Sequence, residues 1–143
     1  MNDLEAAKNR LLKMNLTLAL VKDGKALFET RSHRISGFIG AIEKFGDQLE
    51  GASLADKVAG KAVALLCVYA RIKAVYAEVL SKKAKTVFEE NGVSHEWGEL
   101  VENVLNLNKS GTCPFERAAD DISDPDQAYV IFKALQGSMS SCR

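Results

Sequence analysis

The chain has 143 residues, 47% of them apolar and 27% charged, and its nineteen Lys and Arg balance nineteen Asp and Glu. That size predicts one domain over residues 1–143, with a core large enough to need no disulfide or metal staple. Zero formal charge argues against a broad basic surface for nucleic acid or anionic lipid.

No apolar run approaches the roughly 18 residues of a membrane span. The start, "MNDLEAAKNRLLKMN", is charged throughout and shows no apolar signal region, so the expected location is cytoplasmic. Asp3 to Met14 sets Leu4, Leu11 and Leu12 near one face and predicts a first helix. In "LTLALVKDGKALFET" two β-rich runs flank Asp23-Gly24, the pair that supplies the positive φ angles of a hairpin turn. From Ile35 onward, Phe38, Ile39, Ile42, Phe45 and Leu49 keep helical spacing.

"LADKVAGKAVALL" reads as the start of a helix running from about Leu54 to Arg71. Ser53 serves as N-cap and Asp56 as the acidic residue of a capping box. Beyond Lys61 the apolar residues cover nearly the whole girth, so the helix is expected to be buried on most sides. "AVYAEVL", 74–80, suits an interior strand, and "SKKAKTVFEENG" a helix between Ser81 as N-cap and Gly92 just past its end. "VSHEW" predicts a short strand, "ELVENVLN" a short helix or turn, and "LNKSGT" a loop. Pro114 and Pro125 each sit at a helix N1 position, with Glu116 and Gln127 at N3. This order is α/β, with an antiparallel hairpin leading into parallel crossovers and a core over about 16–136. Residues 137–143 form a polar tail.

Lys57 and Lys61 lie one helical turn apart in this reading, at a helix end that disfavours cations. Gly60 costs about 1 kcal/mol in a helix interior relative to alanine and signals close approach by a strand or a ligand. Asp56, Lys57, Gly60 and Lys61 together suggest an anion-binding mouth, alongside the plainer reading of a solvated helix end. Gly60-Lys61 is no phosphate-binding P-loop, since Ala55 stands where its first glycine belongs and Ala62 where Ser or Thr belongs. Ser81, Lys82 and Lys83 open a second helix after a strand, which would add a hydroxyl and positive charge at a strand's carboxyl end.

Cys113 precedes Pro114 at a helix start, where a thiol pKa can fall. Cys67 reads as a core residue and Cys142 as idle. His33 and His95 are the two histidines, each alone and each read as structural. No pattern supplies the three ligands of a catalytic zinc, so no metal and no cofactor is expected.

"GASLADKVAGKAVALL", "VYAEVLS" and "GTCPFE" together resemble a small bacterial and archaeal family of unknown function with a cytidine-deaminase-like fold, over roughly residues 16–135. The resemblance implies a three-layer α/β/α sandwich whose mixed sheet starts with the hairpin. In zinc deaminases the helix after the hairpin carries a His or Cys ligand and a glutamate proton shuttle, and the next strand leads into a Pro-Cys-x-x-Cys helix. Asp56-Lys57 and Leu80-Ser81-Lys82-Lys83 take those two places here, without the ligands. The resemblance also implies a shared site at Asp56, Lys57, Gly60 and Lys61, closed by residues 113–116.

Three functions follow. The favoured one is a metal-free module that binds a small anion or a phosphorylated, nucleotide-like molecule through Asp56, Lys57, Gly60, Lys61 and Ser81. The second is a zinc-independent enzyme, with Asp56 or Glu116 as acid or base, Lys57 or Lys61 as electrophilic stabiliser and Cys113 as nucleophile. The third is an assembly module in which apolar surfaces build a homo-oligomer. Neither nucleic acid nor membrane is an expected partner.

Overall fold

A computed structural model describes residues 2–31, 35–102 and 114–138. Helix α1 (Asp3–Lys13) leads into the hairpin of β1 (Leu18–Lys22) and β2 (Lys25–Thr30), then α2 (Ser36–Phe45) and a 3-10 turn (Gly46–Leu49). Three strand–helix steps follow: β3 (Ser53–Ala59) to α3 (Lys61–Tyr69), β4 (Ala74–Ser81) to α4 (Lys82–Glu90), and β5 (Ser94–Val101) to α5 (Pro114–Ala119) and α6 (Pro125–Ser138). α6 thus takes in Gly137 and Ser138, which the sequence reading placed in the tail.

The sheet has the order β2-β1-β3-β4-β5. β1 pairs antiparallel with β2 and with β3, whereas β3–β4 and β4–β5 are parallel. Asp23 (φ 52°) and Gly24 (φ 79°) make the hairpin turn with the two positive φ angles expected of them. The Asp3 carboxylate accepts from both turn amides, Asp23 N–H (2.9 Å) and Gly24 N–H (3.0 Å), tying α1 to the hairpin.

Alternation along β1 divides the core. Leu18 and Leu20 join a large cluster with residues of α2 to α6, while Ala19 and Val21 join α1's Ala7 and Leu11, with Ala55 and Tyr76. Among the described residues α1 covers one face of the sheet and the later helices the other. The architecture is an α/β sandwich built on a mixed five-stranded sheet.

Two sequence expectations are corrected. The segment 53–59 is not the first half of a helix but the central strand of the sheet, and the helix begins only at Lys61. A strand buried on both faces shows no polar alternation, so its Leu and Ala residues mimic a helix in sequence. Second, Glu99–Val101 extend β5 rather than opening a helix. The loop assigned to "LNKSGT" lies outside the described residues.

Paired positions along β3 and β4 run to Asp56↔Ala77 and resume at Val58↔Val79; those of β4 and β5 run to Ala77↔Trp97 and resume at Val79↔Glu99. The alternation changes phase at this level. Leu54 and Val75 face the large cluster, and so do Ala59 and Leu80, an odd number of residues further on. At the same level a Cβ on Gly98 would lie 2.9 Å from the Glu78 carbonyl oxygen. After the change of phase Ala59 and Leu80, the last buried apolar residues before the starts of α3 and α4, face the large cluster.

Candidate functional site

Gly60 is the N-cap of α3 and is extended (φ −104°, ψ −173°), with no side chain to satisfy the free amides. Glu116, from α5, does this instead. Lys61 N–H donates to Glu116 Oε1 (2.8 Å) and Ala62 N–H to Glu116 Oε2 (2.7 Å). A Cβ on residue 60 would collide with the Glu116 carboxylate, so glycine is needed for the close approach that its position suggested. The intruding group comes from the chain itself.

Glu116 is only 8% exposed. Burial raises its pKa above the ordinary value, against the lowering by the Ala62 and Lys61 amides and by the Lys83 ammonium. α4 begins with the expected cap: Ser81, 1% exposed, accepts from Ala84 N–H (3.1 Å) through its hydroxyl oxygen.

Asp56 lies on β3, not at a helix mouth, and is 7% exposed. Its sheet neighbours Leu18 and Ala77 belong to the large cluster, and its charge raises the pKa of the buried Cys67 thiol on α3, second to the effect of burial itself. Loss of water pushes the Asp56 carboxyl up to about 7, although Val58 N–H donates to its Oδ1 (3.2 Å). Lys57, next on the strand, points to the opposite face, where its Nζ donates to Asn15 Oδ1 beyond the end of α1 (3.4 Å). Lys57 and Lys61 therefore do not converge.

Lys61 meets Lys83 instead. Both line a groove of about 420 Å³ between α3, α4 and the α5–α6 connection, with Leu65, Val87, Glu90 and Asp120. Lys83 Nζ donates to Asp120 Oδ1 (2.7 Å) and Lys61 Nζ to the Asp120 main-chain carbonyl (3.4 Å). That ion pair raises the Lys83 pKa.

Of the residues singled out in sequence, the structure brings together Gly60, Lys61 and Glu116, with Lys83 beside them, and places Ser81 at the start of the neighbouring helix. The Asp56 carboxylate accepts instead from Val58 N–H on its own strand, and Lys57 lies on the other face of the sheet. Of the acid–lysine pairings in the enzyme reading, the structure joins Glu116 with Lys61, through the Lys61 amide, and not Asp56 with Lys57; Cys113 lies outside the described residues, as do His33 and Cys142. His95 is structural: its Nδ1 is 2.8 Å from the Val93 carbonyl, and its ring stacks with Trp97. Asp120 and Glu90 were not anticipated, since nothing in local sequence marks them as neighbours of Lys61.

With α3 starting at Lys61, Asp56-Lys57 stands on a strand and not on the helix after the hairpin, where the resemblance placed it. Among the described residues no group of three or more His, Cys, Asp or Glu could hold a metal ion.

The family described as TM1506, domain of unknown function (DUF1893), matches residues 6–135. The chain belongs to this family. A crystal structure of a DUF1893 family protein (TM1506) from Thermotoga maritima is similar at 28% identity and a TM-score of 0.83, covering 93% of this chain and 89% of that one. Partial matches reach RibD of Acinetobacter baumannii, at 20% identity over 59% of this chain and 28% of that one, with a TM-score of 0.49. A dCMP deaminase from the cyanophage S-TIM5 matches at 15% identity over 69% of this chain and 94% of that one, also with a TM-score of 0.49. No curated protein matches the chain. No helix among the described residues is long and apolar enough to cross a membrane.

Proposed function

We propose that the chain is a metal-free binding domain that takes a small ligand, through an anionic group, in the groove between α3 and α4. The observation behind this is the convergence of Lys61 and Lys83, from the first turns of two successive helices, on one groove of about 420 Å³. That volume suits a small molecule. Both helix dipoles favour negative charge at this end. The ligand does not use the α3 amides, because Glu116 occupies them. It replaces Asp120 instead as the shared partner of the two ammonium groups.

The test is a titration of the isotopically labelled protein with inorganic phosphate and nucleoside monophosphates. Saturable shifts of the Lys61, Lys83 and Asp120 amides are the expected result. Lys61→Ala and Lys83→Ala should each weaken binding about fivefold to tenfold, the scale of one charge-assisted hydrogen bond. No saturable shift in the wild type, or undiminished affinity in both variants, would overturn the reading.

A further inference from the structure

We infer that the groove selects a dipolar ligand, one whose anionic group is joined to a cationic group about 10 Å away. This rests on the groove being the binding site, and it names the class of ligand that the site takes.

One face of α4 forms a wall of the groove. Lys83, Thr86, Val87 and Glu90 line it, with Asn91 at the end, the three- and four-residue spacing of a single helical face. The wall begins with a cation and ends with an anion. Lys83 and Glu90 are seven positions apart, so their Cα atoms stand about 10 Å apart along the axis. Lys61 strengthens the positive end from α3. Glu90 makes no ion pair among the described residues, whereas its helix neighbour Glu89 is paired with Lys85. The helix dipole runs in the same sense, positive beside Lys83 and negative beside Glu90.

The charged groups lining the groove, Lys61, Lys83, Glu90 and Asp120, sum to zero. A simple anion gains at one end and is repelled at the other. A ligand with a phosphate or carboxylate at one end and an ammonium at the other satisfies both ends, and its alkyl middle lies over Leu65 and Val87.

Aminohexyl phosphate and hexyl phosphate are matched probes, alike except for the ammonium. Binding to the full chain is measured by calorimetry and by amide shifts along α4. The expected result is a preference of about fivefold for aminohexyl phosphate, the scale of one partly exposed charge pair. Glu90→Gln should abolish the preference with little effect on hexyl phosphate, and Lys83→Ala should weaken both probes. Equal binding of the two probes to wild type overturns the dipolar inference while leaving the binding site in place. So does a preference that survives in Glu90→Gln, or an aminopropyl phosphate that binds as tightly as the longer probe. If phosphate and both probes all fail to bind, the groove itself is not the site and both readings fall.

Discussion

At Gly60 and Glu116 one carboxylate does two things at once. It satisfies two amides at the start of α3 and fills the space that any side chain at position 60 would need. The two positions are therefore coupled through one object. Glu116→Ala leaves two amides uncapped and should destabilise the fold by about 1–3 kcal/mol, the cost of losing a buried acceptor. Gly60→Ala expels the same carboxylate and should cost a comparable amount. Combined, the two changes should be clearly less than additive, because the second removes nothing that the first has left in place. Chemical denaturation of the two single variants and the double variant measures this; strict additivity would refute the shared carboxylate. The sequence carried half of this signal. A glycine that is costly in a helix implied close approach, but only the fold identifies the visitor as a residue from far along the chain.

Element boundaries turn on capping and length. α4 is legible because Ser81 and Gly92 mark its two ends, and the hairpin because Asp-Gly permits one tight turn. β3 is not legible in the same way. Its residues satisfy a capping-box pattern and a helical apolar pattern, and its true character as a central strand comes from neighbours on both sides. The same holds for the change of phase between Asp56 and Ala59 and between Ala77 and Leu80, which no local motif encodes. At the same level a Cβ on Gly98 would press against the Glu78 carbonyl, a backbone group that cannot swing aside. Gly98→Ala should cost about 1–3 kcal/mol through forced backbone displacement. The same substitution at Gly40, where nothing lies within 4 Å of an added Cβ, should be neutral or mildly stabilising, since alanine is the better helix former. Thermal denaturation of the pair checks the contrast, and equal effects would count against the close approach.

For the molecule as a whole, the buried acid on the central strand links folding to pH. The Asp56 carboxyl has a folded pKa of about 7, raised from 3.8, with loss of solvent as the main cause. A raised carboxyl pKa means that the native state holds its proton more tightly than the unfolded chain. The resulting stability is fully present below the unfolded value and is lost as pH rises through the folded one. At about pH 8 the ionised carboxylate costs up to about 4 kcal/mol, an upper bound because relaxation and water entry reduce it. Asp56→Asn should therefore flatten the decline of stability across this window, with its largest gain at the alkaline end. Urea denaturation at several pH values reads this directly; a variant with the same slope as wild type would show that Asp56 is not the titrating group.

The sequence by itself determined the α/β class, the hairpin, the caps of α4 and the prolines that open α5 and α6, because each depends on a few adjacent residues and their backbone preferences. It also singled out Gly60 and Lys61. Tertiary structure alone decided that β3 is a strand, that Asp56 is a core acid, and that Lys57 and Lys61 lie on different sides of the sheet. It alone brought Lys83 and Asp120 to Lys61. The physical reason is the same in each case. A doubly buried strand and a buried helix present the same apolar run, and only the pairing partners, remote in sequence, separate the two and so decide which charges meet.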